Sequence, residues 1–148
     1  MSKYIICCMF FLLTACQNHT VYHVFQPVPE TGWRKSDTLT YTLPTNASSA
    51  SYTYKIGIRH KDCYPYRDIW MTIKYANHVD TLHLYLADKT GNWKGNGIGN
   101  TRQYTAPISL NPAFHLTDSI NPIQLTHIMQ DEPLMGISDI GIQVSSDR

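Results

Sequence analysis

Charge and cysteine are both scarce in this chain. Only 16% of its 148 residues are Asp, Glu, Lys or Arg, and there are four cysteines. Low charge, with 43% apolar and 11% aromatic residues, excludes a disordered polyelectrolyte and leaves enough apolar surface for one domain's core. Neither sign of charge is in excess: the formal net charge is +1. That balance excludes the basic footprint expected of a nucleic-acid binder or of a protein held electrostatically on anionic lipid. Long apolar runs are missing too. The longest, Ile5 to Leu13, falls well short of the roughly 20 residues that a helix needs to cross a bilayer. No internal repeat, heptad seam or convincing helical period occurs anywhere in the chain.

What is present begins at the first residues. Lys3 gives a positive start, Ile5 to Leu13 an apolar stretch, and Thr14-Ala15 a pair of small residues, the pattern of a secretory signal. Cys16 comes next, so Leu13-Thr14-Ala15-Cys16 reads as a bacterial lipobox, in which the thiol is acylated and the signal (1–15) is cut off before it. Each buried acyl methylene contributes about 0.8 kcal/mol, and two or more chains anchor a protein firmly. Cys16 is therefore the expected lipidation site and the expected membrane link. Gln17 stands where an Asp would mark inner-membrane retention, and Gln17-Asn18-His19-Thr20 lack the acidic run of surface-exported lipoproteins. The expected address is the outer membrane, facing the periplasm, with 16–20 as tether and 21–148 as one domain. Cys7 and Cys8 leave with the signal, so Cys63 has no disulfide partner within the chain.

Beyond the tether, hydrophobicity has period two. Tyr52, Tyr54, Ile56 and Ile58 alternate with Thr53, Lys55, Gly57 and Arg59, which predicts a strand with one face on a core. The same alternation predicts strands at Ile69 to Tyr75, with Trp70 on the polar side, and at Leu82 to Leu86. Weaker signals lie at 21–28, 38–43, 103–110, 124–129 and 137–144. Turn clusters separate them: 27–32, 44–51, 60–65, 76–79, the glycine-rich 88–100, Asn111-Pro112, Asn121-Pro122 and 131–136. About eight short strands at this spacing predict an all-β fold, an antiparallel β-sandwich of jelly-roll or immunoglobulin-like kind.

The candidate chemistry is thin. Cys63 with His60 nearby suggests a thiol and imidazole pair, but a lone Cys is more commonly a small buried hydrophobe. Gly136-Ile137-Ser138-Asp139-Ile140-Gly141 has the wrong glycine spacing for a nucleophile elbow, and Ser119 beside Asp118 suits a turn. His19 and His23 are four apart, a helical ligand spacing that does not converge on a strand. The loop Gly91-Asn92-Trp93-Lys94-Gly95-Asn96-Gly97-Ile98-Gly99 lacks a phosphate-binding order and reads as turns and bulges. These patterns imply no enzyme, no metal and no cofactor. In Cys63-Tyr64-Pro65-Tyr66-Arg67-Asp68-Ile69-Trp70, Pro65 stiffens the lead into a strand, and adjacent Arg67 and Asp68 point to opposite faces. Tyr64, Tyr66 and Trp70 are expected to cap the open end of the sandwich. Together with Trp93 they are the candidate contacts for a partner or ligand.

Tyr64-Pro65-Tyr66 followed by Asp68-Ile69-Trp70 resembles the central motif of the GldH family, gliding-motility-associated lipoproteins of Bacteroidetes. Asp80-Thr81-Leu82, then Gly91, Trp93, Gly95 and Gly97, then Leu134, Gly136, Ile137, Asp139, Ile140 and Gly141 follow in the family's order, and Cys16 matches its lipobox. The chain departs from that pattern at Asp68-Ile69, where Asn-Leu is more usual, and at Gln130, where an Arg is expected. The resemblance implies a cell-envelope lipoprotein associated with gliding machinery and its linked secretion system, acting beside other envelope proteins and without known catalytic residues. The alternative function carried by the exposed-looking aromatics is a periplasmic or surface module that binds glycan or peptide. Cys16→Ala is expected to abolish acyl labelling and membrane retention; a variant that still fractionates with membranes overturns the anchor.

Overall fold

Inward-facing side chains recur at every second residue in strand after strand, and they divide the chain into two sheets. The computed structural model describes residues 19–44, 51–110 and 122–147. Its strands are β1 (His19–Pro27), β2 (Leu39–Tyr41), β3 (Ser51–Lys61), β4 (Asp68–Tyr75), β5 (His78–Tyr85), β6 (Asn96–Ile98), β7 (Thr101–Ile108), β8 (Ile123–His127) and β9 (Ile137–Asp147). The first sheet runs β1-β9-β3-β7-β6 and the second β2-β8-β4-β5. Every pairing is antiparallel, so the chain is an all-β sandwich. The leading segment 1–15, Cys16, Asn111-Pro112 and the Asp118-Ser119 pair lie outside the described residues.

Sequence alternation becomes burial directly. In β4, Ile69, Met71, Ile73 and Tyr75 are fully buried; in β3, Ile56, Ile58 and His60 are, and Tyr54 nearly so. Ile140, Ile142 and Val144 of β9 and Ile123 and Leu125 of β8 complete the two inner faces. Leu82 and Leu84, by contrast, are only half-buried, because β5 is the edge of its sheet and overhangs the core. Hydrogen bonds also cross the sandwich: Tyr41 Oη of β2 donates to the Ile140 carbonyl of β9 at 2.6 Å, and Gln26 Nε2 of β1 to the Thr40 carbonyl of β2. Burial pushes the Tyr41 phenol well above its ordinary range, which keeps it a donor at all physiological pH.

The outer face of the five-stranded sheet has its own packing unit. Gly57 and Gly141 are register partners on β3 and β9, and Phe25 of β1 pairs with Gly141. The Phe25 ring lies over both glycines, so that a Cβ would come within 2.6 Å of it at Gly57 and 2.7 Å at Gly141. The Arg59 guanidinium stacks over the same ring at 3.9 Å and donates to Gln103 Oε1 at 2.8 Å. Two residues without side chains thus make room for an aromatic that buries three strands at once.

Four expectations are corrected. A ninth strand, β6, lies in the glycine-rich loop, because Gly95, at φ 79° and with no space for a Cβ beside the Gln103 carbonyl, lets that backbone run against β7. The turn at 76–79 is shorter: Ala76-Asn77 alone turns the chain, and β5 starts at His78. β1 starts at His19, so His19 and Thr20 lie in the strand and not in a tether. Trp70 does not cap the sandwich end, since it alternates out of step with Ile69 and Met71 and stands on the outer face.

Valine at position 141 is expected to cost about 1–3 kcal/mol by evicting the Phe25 ring. In a Phe25→Ala background the same Gly141→Val change costs less, and denaturant midpoints of the four proteins measure the coupling; purely additive effects would contradict the stacked arrangement.

Candidate functional site

The connection from β3 to β4 is held by one close backbone approach. Lys61 N–H donates to the Gly136 carbonyl at 2.8 Å, and a Cβ on Gly136, at φ 89°, would lie 2.8 Å from Tyr64 Cα. Only glycine lets the loop before β9 lie on the backbone of the Tyr64-Pro65-Tyr66 segment. Tyr64 is itself 3% exposed, and its hydroxyl donates to the Asp68 carbonyl at 2.9 Å. Tyr66 meets Tyr64 edge-on at 5.8 Å and is half-buried; its hydroxyl bonds the Asp131 carboxylate, which raises the phenol's pKa.

Asp68 opens β4, and its carboxylate Oδ2 lies 2.6 Å from His83 Nε2 on β5. Register pairs Trp70 with His83 and Asp68 with Tyr85, all on the outer face of the four-stranded sheet. The Trp70 and His83 rings stack at 3.8 Å and 12°, and Tyr85 meets His83 at 4.5 Å. Trp70 is 40% exposed and Tyr85 52%, so the three rings form an accessible ledge. It leads into a cavity of about 850 Å³ lined by Tyr66, Arg67, Asp68, Tyr85, Lys89 and Lys94, among others. The far wall is a rigid turn: Asp88 Oδ1 accepts from Thr90 N, Thr90 Oγ1 and Asn92 N. The Thr90 hydroxyl, foremost among these donors, pulls the Asp88 carboxyl down to about 2.

Of the four residues singled out as contacts, the structure places Trp70 on the ledge and Tyr66 at the cavity wall. Tyr64 is core, and Trp93 is half-buried with its ring 4.5 Å from that of His60. Asp68 pairs with His83, and Arg67 and Asp68 both line the cavity. Cys63, expected to be buried, is exposed, because the chain leaves the sheet after Lys61 in a turn at Asp62-Cys63. His60 is fully buried on the inward row of β3, and its ring nitrogens make no bond to the thiol, so the two do not form a catalytic pair. No cluster of three metal-ligating side chains occurs among the described residues.

Nothing in the composition of β5 marks His83 or Tyr85. The signal that finds them is the turn: a two-residue turn at Ala76-Asn77 pairs residues equidistant from it, which sets Trp70 opposite His83 and Asp68 opposite Tyr85.

A family model described as GldH lipoprotein matches residues 20–144. The chain belongs to the GldH lipoprotein family. "Gliding motility lipoprotein GldH" of Flavobacterium johnsoniae is 23% identical over 144 residues, covering 90% of this chain and 89% of that protein. "Gliding motility lipoprotein GldH homolog" of Christiangramia forsetii is 24% identical over 144 residues, covering 90% and 88%. No solved structure matches the chain. The GldH match takes in every described strand except the first residue of β1 and the last three of β9, so the signature segments at 64–70 and 134–141 fall within it.

Two buried imidazoles flank this end of the fold. His60 donates from Nδ1 to the Lys61 carbonyl at 3.0 Å and His127 from Nε2 to the Trp33 carbonyl at 2.8 Å, the carbonyls fixing each tautomer. His60 Nε2 and His127 Nδ1 are buried without partners. Burial lowers the pKa of both below its ordinary value. Below about pH 6.5 the unfolded chain therefore binds protons that the folded chain refuses, and stability falls with pH by at most about 1.4 kcal/mol per unit for each imidazole until the folded pKa is reached. Denaturant midpoints at pH 7.5, 6.5 and 5.5 are expected to decline in that order, and less steeply in His60→Gln; a midpoint indifferent to pH contradicts neutral burial.

Proposed function

We propose that this chain is a lipid-anchored, non-enzymatic accessory of the gliding motility apparatus and its linked secretion machinery, presenting its signature-bearing end to another envelope protein. The observation that carries this reading is the match of the GldH lipoprotein family over 20–144, joined by relatives whose names specify gliding motility. Acylated Cys16 supplies the membrane link, and the proposed site of action is the inner face of the outer membrane.

The fold supports a defined orientation. Gln17 and Asn18 alone separate Cys16 from β1, so His19 is held within about 10 Å of the anchor along the chain. His19 pairs with Ser146, and Ser146 with Tyr52, which makes the start of β3 membrane-proximal. β3 then rises about 33 Å to Lys61. Beyond Lys61 lie Cys63, Tyr64, Tyr66 and Gly136, at the pole farthest from the lipid. The residues that identify the family thus sit where a partner in the periplasmic space meets them first.

Cys63 is a built-in probe of this arrangement, being exposed at that pole. A thiol-directed photo-crosslinker on Cys63 is expected to capture a discrete envelope protein whose loss also stops gliding. The same probe on Ser51→Cys in a Cys63→Ser chain is expected to capture lipid or nothing. Equal protein capture from both ends, or normal gliding in a strain lacking the chain, overturns the reading.

A further inference from the structure

The ledge and its cavity have a chemistry that an anchored docking role does not require. Trp70 and Tyr85 are exposed and His83 between them half-buried, all set on paired strands, not on loops, and the hydrogen bond from His83 to Asp68 holds the central ring in place. Such rings offer flat, electron-rich faces to the polarised C–H bonds of a pyranose, and they lose little freedom on binding because the sheet already orders them.

The charges beside them are unbalanced. The cavity is lined by Arg67, Lys89 and Lys94 and by two carboxylates, Asp68 and Asp88. The lining is net positive by one, since Asp88 keeps its charge; both carboxylates are already hydrogen-bonded, Asp68 with His83 and Asp88 with Thr90 and Asn92. The cations are not ion-paired: the ion pairs among the described residues use His83, Arg102 and His127 as their cationic members. Lys94 Nζ lies 5.9 Å from the Tyr85 ring centre, so one cation stands directly beside the ledge. At about 850 Å³ the cavity has the size of a small-ligand pocket, of the order of 300–1,000 Å³, and is much smaller than the footprint of a folded partner.

We propose that the Trp70, His83 and Tyr85 ledge and the adjoining cavity bind a carboxylate-bearing saccharide, with the sugar rings on Tyr85 and Trp70 and the carboxylate among Arg67, Lys89 and Lys94. A neutral sugar leaves the cations unanswered. An acidic peptide answers the cations but makes no specific use of the ring faces. Only a ring that carries its own carboxylate uses both halves of the site. The site lies at the start of β4 and the end of β5, the same pole as Cys63 and Gly136.

The test is calorimetric titration of the full lipidated chain in detergent with oligogalacturonate, oligoglucuronate and alginate fragments, against the neutral galacto-oligosaccharide and tetraglutamate. At least one oligouronate is expected to bind at least tenfold more tightly than either control, and more weakly as salt rises. Tyr85→Ala and the double variant Lys89→Gln/Lys94→Gln are each expected to weaken that binding at least tenfold, with unchanged thermal midpoints, because all three side chains are surface groups outside the core. Trp70→Phe, retaining a ring, is expected to weaken it less than Trp70→Ala. Absence of oligouronate binding overturns the proposal. So does tetraglutamate binding as tightly as the best oligouronate, or affinity that survives Tyr85→Ala, since either marks a plain cationic patch.

Discussion

The approach of Gly136 to the Tyr64 backbone is the contact on which this end of the molecule depends. β9 sits between β1 and β3 in the larger sheet, and it reaches that place through Gly136, whose carbonyl takes the last amide of β3. A side chain there would push the Tyr64-Pro65-Tyr66 segment off the sandwich. The consequences run outward in order. Tyr64, pinned underneath, gives its hydroxyl to the Asp68 carbonyl; Asp68, so placed, holds His83; and His83 backs the ring of Trp70. A backbone contact with no chemistry of its own therefore sets the geometry of every exposed aromatic on the ledge. Two segments far apart in sequence, each rich in family-signature residues, are two halves of one joint.

The same economy appears where polar groups enter the core. His60 completes the inward row of β3 and His127 that of β8, each in a place where a strand ends and the chain must turn. An apolar residue would fill the space but forgo the second bond that the Lys61 and Trp33 carbonyls, which already accept from the Tyr64 and Leu134 amides, take from the imidazoles. Imidazole answers the carbonyl with one nitrogen and turns a flat ring to its neighbours with the rest: His60 against Trp93 and Tyr64, His127 against Trp33. The unbonded second nitrogen is tolerable only while it stays unprotonated, which ties the joint to neutral pH. Trp33 and Leu134, hydrogen-bonded to one another in both directions, carry this support across to the loop after β1. The pole is thus closed by side chains that satisfy backbone groups, with little contribution from salt bridges.

Much of the fold was legible because burial leaves a period of two in the sequence. Ile69, Met71, Ile73 and Tyr75 announce both a strand and its inner face, and Trp70, out of phase with them, announces the outer one. The site was less legible because it is made by pairing, and pairing depends on where a turn is centred. Ala76, a non-glycine residue at φ 47°, gives no sign in sequence that it starts a two-residue turn, so the partners of Asp68 and Trp70 stayed hidden. β6 was hidden for the opposite reason: Gly95, Gly97 and Gly99 look like a loop, whereas Gly95 brings its backbone against that of Gln103 on β7. Cys63 shows the limit of residue-type averages, since a turn overrides the usual burial of a thiol.

With the anchor at Cys16 and the ledge as the binding face, as proposed, the two sheets divide the work between anchoring and recognition. β1, which follows the tether, belongs to the five-stranded sheet and is fastened to β9 along its whole length, with Phe25 locked over Gly57 and Gly141. Load on the lipid anchor therefore enters a sheet whose outer face is sealed by that ring and by Arg59. The ledge stands on the other sheet, on β4 and β5, which share no backbone pairing with β1. The sheets meet through side-chain packing and the hydrogen bonds of Tyr41 to Ile140 and of Gln26 to Thr40. On the proposed anchoring, tension shears hydrogen-bonded strands that are paired over many residues, and it reaches the ledge's sheet through the core and the cross-sheet bonds of Tyr41 and Gln26. On that proposal the ledge stands on strands that pair with neither β1 nor β9, so the strand next to the tether does not pull on it directly.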